Sequence, residues 1–210
     1  MITPYIMVTY TGITGLQEII CMNQETFEII KKNWGKCSSW LIWDEDDASG
    51  MNWASSPDLH KKLKTDYVFV ALNFSESKNA TKGMVWGNFH SRDVNIKKLI
   101  SAFKGTKFEA CYITDVIKNF EDSSSESVSE NLKKNPCFEK SQVQNFKEEL
   151  SCFGKPVLLA LGNEVFDILT RNHIDDDFKV VKIEHYASRS NASDYREKVR
   201  RQLQEAGEWE

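Results

Sequence analysis

The run YVFVALN, Tyr67 to Asn73, is apolar at every position until its final asparagine, with Asp66 before it and Ser75-Glu76-Ser77 after it. A strand with one face in water alternates apolar and polar side chains, whereas a strand covered on both faces does not. The run therefore predicts a central, parallel strand, and a polar amide placed at its carboxyl end.

The remaining periodicities build a sheet around it. YIMVTY (5–10) reads as a short strand. NQETFEIIKKNW (23–34) reads as a helix capped by Asn23, with Phe27, Ile30 and Trp34 on one face. SSWLIW (38–43) and CYIT (111–114) read as strands, the second separated from the central run by the amphipathic VNIKKLISAF (94–103). KSQVQNFKEELSCF places Val143, Phe146, Leu150 and Phe153 on one helical stripe; Gly154 ends it and Pro156 opens the strand PVLLAL. Gly162 turns that strand into a helix with VFDILT as its body. KVVKIE (179–184) gives a last strand before HYASRS, and the final helix begins at an Asn191 or Ser193 cap. The serine-rich, acidic stretch 121–136 reads as a mobile insertion with little fold of its own.

Strands alternating with helices imply right-handed crossovers. The expected fold is a three-layer α/β/α sandwich with a central, mainly parallel sheet, formed by one domain over residues 1–210. Ligands of such sheets bind at the carboxyl edge of the strands. The residues expected there are Asn73 to Ser77, Asp115, Gly162 to Glu164 and His185 to Ser188.

Composition sets limits on partners and compartment. No apolar stretch approaches the roughly 20 residues of a membrane span, and MITPYIMVTYTG has no secretory pattern, so the chain is expected to be cytoplasmic, without a membrane partner, and monomeric. The five cysteines form no C-x-x-C, and the histidines share no ligand spacing with them. No metal site is expected. The net charge of −4 opposes phosphate binding, yet Lys61 to Lys107 holds ten Lys or Arg against three acids. The acids gather instead at Asp44–Asp47, Glu121–Glu130 and Asp175–Asp177.

The ordered strand-end motifs resemble the uracil-DNA glycosylase superfamily. VFVALN resembles the asparagine-bearing first motif of its mismatch-type and single-strand-selective branches, with Phe74 and Ser75 where those have Pro-Gly. WGNFH is similar to the loop that supplies a stacking aromatic. CYITDVIKN and PVLLALGNEVFDIL resemble the Ile-Thr-Asn and Leu-Gly strands of the thermophile-type branch, and HYAS resembles its His-Pro-Ser motif. The resemblance covers residues 66 to about 203 and leaves 1–60 as an N-terminal extension of unmatched role.

The resemblance implies an enzyme that takes a base out of the stack and hydrolyses its N-glycosidic bond. Asn73 would position the water, Phe89 would stack on the base, and His185 would donate to the oxyanion of the leaving base. Ser188 and Arg189 would hold a phosphate. Asp115 stands where the family reads uracil with asparagine; an ionised carboxylate only accepts hydrogen bonds and suits the amino group of a cytosine-like base, whereas a buried Asp115 kept protonated by a raised pKa would regain a donor. The iron–sulfur cysteines of the thermophile-type branch have no counterpart, so no cofactor is expected. The expected partner is DNA or a nucleobase-containing ligand. The alternative from another class is a module that keeps the base pocket, for a nucleotide or a protein partner, without catalysis.

Overall fold

The computed structural model describes residues 22–43, 51–74, 83–90, 94–120, 122 and 124–209. The strand expected at 5–10, the acidic run 44–47 and Ser75 to Ser77 lie outside the described residues. Among the described residues five strands form one sheet: β1 (Ser38–Trp40), β2 (Lys64–Asn73), β3 (Cys111–Ile117), β4 (Val157–Leu161) and β5 (Val180–Ile183), in the order β1-β3-β2-β4-β5. The YVFVALN run is thus the middle strand. All neighbours pair in parallel except β1, which runs antiparallel to β3 at the edge, Ser38 opposite Thr114 and Trp40 opposite Tyr112.

The helices among the described residues are α1 (Gln24–Trp34), α2 (Val94–Phe103), α3 (Ser125–Lys134), α4 (Pro136–Leu150), α5 (Asn163–Arg171) and α6 (Ala192–Glu205). They cover both faces of the sheet, and the alternation of β2 shows how. Phe69 and Ala71 belong to a core shared with Ile96, Leu99 and Phe103 of α2 and with Tyr195, Val199 and Leu203 of α6. Val68, Val70 and Leu72 belong to a second core shared with α1, α4 and α5 through Ile30, Phe146 and Ile168. An uninterrupted apolar strand is what this double cover requires.

Caps fix the helix starts. Asn23 Oδ1 accepts from Thr26 N at 2.8 Å, and Asn191 Oδ1 accepts from Asp194 N at 2.9 Å, so Asn191 rather than Ser193 caps α6. Each such cap is worth about 1 kcal/mol. The part of the 1–60 extension that is described belongs to the core, because α1 packs on the sheet and β1 extends it.

Two expectations need correction. The stretch 121–136 carries the helix α3: Ser124 Oγ caps it by accepting from Ser127 N at 3.3 Å, and Val128 and Leu132, one turn apart, are buried in the core. Its serines and glutamates occupy the other positions, which is why composition alone resembled a segment without fold. Asp115, expected just past a strand end, lies inside β3 in register with Ala71, because the strand continues through Val116 and Ile117.

Candidate functional site

The connections of the sheet locate its ligand-binding edge. From β2 the chain crosses through α2 to β3 on one side; from β4 it crosses through α5 to β5 on the other. Since β2 and β4 are neighbours, their carboxyl ends diverge at a topological switch point, the usual place for a ligand in an open α/β sheet. Val70 is in register with Ala160, and Leu161 with Ile183. Asn73, Gly162 and His185 therefore all stand at this carboxyl edge.

His185 is held by its own loop. Its backbone carbonyl accepts from Ser188 N at 3.0 Å and its ring Nδ1 accepts from Ala187 N at 3.1 Å, while Tyr186 stacks on the ring at 4.5 Å. A nitrogen that accepts carries no proton, so the neutral ring holds its proton on Nε2. Burial lowers the imidazole pKa below its ordinary value; Glu184 works against this and Lys98 adds to it. The ring is therefore a neutral Nε2–H donor at pH 7, and Nε2 has no hydrogen-bond partner among the described residues.

The turn from β4 into α5 depends on the backbone conformation of Gly162. Its φ of 95° and ψ of 177° lie in a region reserved for glycine, and an added Cβ would meet His185 Cβ at 3.4 Å. Gly162 N donates to Ile183 O at 2.9 Å, which joins the ends of β4 and β5 under the loop.

Ser188 and Arg189 follow on the same loop. Ser188 Oγ and Ser190 Oγ share a 2.7 Å hydrogen bond, and Arg189 is exposed with no ion pair among the described residues. Lys98, buried on α2, donates from Nζ to Ser188 O at 2.6 Å and Ser190 O at 3.1 Å.

Asn73 faces the other way. Its Nδ2 lies 2.9 Å from Asp122 O and 3.2 Å from both Phe120 O and Phe74 O, so it donates to the turn that leads from β3 into α3. Both amide hydrogens serve the protein, and Oδ1 is left as an acceptor at the switch point.

Asp115 and Phe89 make a separate, enclosed pair of features. Asp115 is 1% exposed; its Oδ2 accepts from Asn88 Nδ2 at 2.7 Å, and Oδ1 is buried without a hydrogen-bond partner. Burial pushes its carboxyl up to about 7; Lys118 and the Asn88 hydrogen bond hold it down, and Glu149 adds to the rise. Phe89, at 9% exposure, packs with Phe69 and the α2 residues rather than presenting a free face. Its φ is 65°, as is that of Trp86 in the same short loop. Two non-glycine residues in this region cost on the order of 1–3 kcal/mol each and collect where surrounding structure dictates them. Here Trp86 is buried, and its carbonyl accepts from Ser39 Oγ at 2.8 Å.

The edge is thus divided. Asn73, Gly162, His185, Ser188 and Arg189 share the carboxyl edge, whereas Asp115 and Phe89 lie beneath Asn88 and inside the core. Sequence reasoning missed Asn88 and Lys98. Lys98 had a signal, since it lies one turn before the buried Ala102 on α2; Asn88 had none beyond its neighbour Phe89.

A buried polar cluster sits behind Asp115. Lys118 Nζ meets Glu149 Oε2 at 2.7 Å, Thr114 Oγ1 at 2.8 Å and Asp115 O at 2.5 Å, and Glu149 Oε1 accepts from Tyr112 and Thr114 hydroxyls at 2.8 Å each. A cleft of about 460 Å³ opens over it, with Asn33, Cys37, Asn119 and Asn145 on its walls. Burial lifts the Cys37 thiol to about 11, with Lys118 opposing and Glu149 and Asp115 adding, so it is no nucleophile at neutral pH.

Of the described members of the basic excess between Lys61 and Lys107, Lys98 reaches the switch-point loop. Others lie away from it: Lys61, Lys62 and Lys64 lead into the amino end of β2, and Lys104 and Lys107 lie between α2 and β3, where Lys64 Nζ donates to Lys107 O at 3.2 Å. Lys78, Lys82 and Arg92 lie outside the described residues.

Fold and edge together define an α/β protein with a mainly parallel five-stranded sheet and a polar switch-point edge. No known protein family, curated protein or solved structure matches the chain. No described helix is long and apolar enough to cross a membrane.

Proposed function

We propose that the chain binds a nucleobase, extruded from DNA, at the β2/β4 switch point in the manner of the uracil-DNA glycosylase superfamily, and hydrolyses its N-glycosidic bond. The observation that carries this reading is His185: a neutral imidazole, its tautomer set by Ala187 N, with an unengaged Nε2–H at the carboxyl edge. A base leaving as an anion is stabilised by such a donor, whose hydrogen bond strengthens as charge develops on the oxygen it faces. The Oδ1 of Asn73 supports the reading, because an acceptor is what orients a water by its hydrogen. Ser188 and Arg189 would hold the flanking phosphate.

A second reading, base or nucleotide binding without hydrolysis, is favoured by one specific arrangement: Asp115 and Phe89, the base-holding pair, lie beneath Asn88 and in the core. One experiment separates the two. Single-stranded and mismatched oligonucleotides carrying uracil, hypoxanthine or a modified cytosine are incubated with the protein and then cleaved at abasic sites with alkali. Hydrolysis gives strand breaks that His185→Ala and Asn73→Ala reduce. Absence of breaks on every substrate, with retained binding to the same oligonucleotides, establishes the second reading instead.

A further inference from the structure

We infer that Lys98 is a positioning residue for this edge: reaching from α2 to the loop after β5, its ammonium fastens residues 185–190 so that the Nε2–H of His185 points out of the sheet. The inference rests on the reading of His185 as the donor of the site.

The chain of contacts is continuous. Lys98 Nζ donates to Ser188 O at 2.6 Å and to Ser190 O at 3.1 Å, 90 and 92 residues away in sequence. Ser188 N in turn donates to His185 O at 3.0 Å, closing a tight turn. Inside that turn Ala187 N reaches His185 Nδ1 at 3.1 Å. The bond that fixes the tautomer thus belongs to a turn whose far end is tied down by Lys98.

Two features separate this lysine from an ordinary helix residue. It is 6% exposed, and lysines are rarely so buried without a carboxylate partner. Among the described residues it makes no ion pair; two backbone carbonyls take its place. Were the Lys98 ammonium to snorkel to water, these carbonyls would lose their donor.

The groups that face the His185 ring are few. Lys98 comes from α2 and disfavours the imidazolium; Glu184 precedes the ring and favours it. Glu184 is itself paired to Lys198 of α6 at 2.8 Å, and its carbonyl accepts from Tyr195 OH at 3.2 Å. Tyr186 stacks on the ring, and β4 brings the backbone of Gly162. Lys98 therefore acts in two ways in the same direction, through the turn and through its charge.

The test is nitrogen NMR of the imidazoles in the full-length protein, assigned by a His185→Gln variant, with circular dichroism and urea unfolding as controls of folding. The wild type should show His185 as the Nε2–H tautomer at pH 7.5. Lys98→Met should lose that single tautomer and move the His185 titration midpoint upward, and Lys98→Arg, which keeps a charged donor, should restore both. A folded Lys98→Met protein with an unchanged tautomer and midpoint overturns the inference. Should Lys98→Met fail to fold, the wild-type spectrum and Lys98→Arg still decide: a wild-type ring protonated on Nδ1, or a mixture, overturns it equally. Because no substrate enters the measurement, a failed glycosylase assay and a failed tautomer assay remain distinct results.

Discussion

Replacing Asp115 with asparagine is expected to stabilise the protein at alkaline pH and to lose that advantage in acid. The carboxyl is 1% exposed, accepts one hydrogen bond from Asn88, and keeps Oδ1 buried without a partner. Burial, partly offset by Lys118 and Asn88, raises its folded pKa from 3.8 to about 7. A raised carboxyl pKa means that the native state holds a proton which the unfolded chain has already released. Stability from this group is then complete below about pH 3.8 and is lost as pH rises through about 7. At about 1.4 kcal/mol per pKa unit the full span is about 4 kcal/mol. Asparagine does not titrate; it keeps an acceptor for Asn88 but places an amide hydrogen where Oδ1 was, at a cost of about 1–3 kcal/mol if unpaired. The net gain at pH 8.5 is therefore about 1–3 kcal/mol. Urea unfolding of both proteins between pH 5 and pH 8.5, fitted with a common slope, reads the difference directly. The stability of Asp115→Asn relative to wild type should climb from pH 5 to about pH 7 and level off above it. A difference that stays flat would refute the reasoning, since it would mean that the carboxylate is ionised throughout and fully compensated.

Three further experiments probe the frame of the site. Lys118→Met leaves Glu149 charged and buried, so it should cost about 3–5 kcal/mol, and Lys118→Met with Glu149→Gln should recover part of this; equal loss in the single and double variants in urea unfolding would deny the coupling. Leu132→Ala should cost about 2–5 kcal/mol by thermal or urea unfolding, because α3 buries this side chain in the core; a loss below about 0.5 kcal/mol would return residues 121–136 to the status of an appendage. Gly162→Ala should lower stability by about 1–3 kcal/mol through backbone strain alone and disturb the His185 resonances, and a neutral effect on both would show that φ near 95° is not required there.

The elements legible in the sequence are those whose signal is local. The unbroken apolar run of β2 announced a strand covered twice, and Asn23 announced the start of α1. The misjudged elements are those where a tertiary partner outweighs composition. Asp115 reads as a strand end, but Asn88 partners one of its carboxylate oxygens and Val116 and Ile117 carry the ladder past it. The 121–136 stretch reads as solvated, although two apolar residues four apart are enough to seat α3 on the core. The antiparallel direction of β1 has no sequence signature, and neither has a contact such as Lys98 to Ser188, which joins residues 90 positions apart.

The divided edge also bears on what an extruded base would meet. Asp115 sits two residues below the end of the β2/β3 ladder, whereas His185 rises beyond the β4/β5 ladder, and Asn73 stands between them. Asn88 occupies the Asp115 carboxylate, its Nδ2 binding Asp115 Oδ2 at 2.7 Å and Cys37 O at 3.0 Å, so on the proposed reading a ligand reaching Oδ2 takes the place of Asn88. The loop that carries Asn88 holds two non-glycine residues at φ of 65°, and such strain favours any rearrangement that relaxes it. The buried carboxylate opposes stability above neutral pH, and an uncompensated group of that kind, next to a strained loop and under a switch point, is more characteristic of a site than of a core. On the proposed reading, opening of the Asn88 loop is what would bring Asp115 into contact with a base amino group, whereas the Nε2–H of His185 has no partner to give up among the described residues.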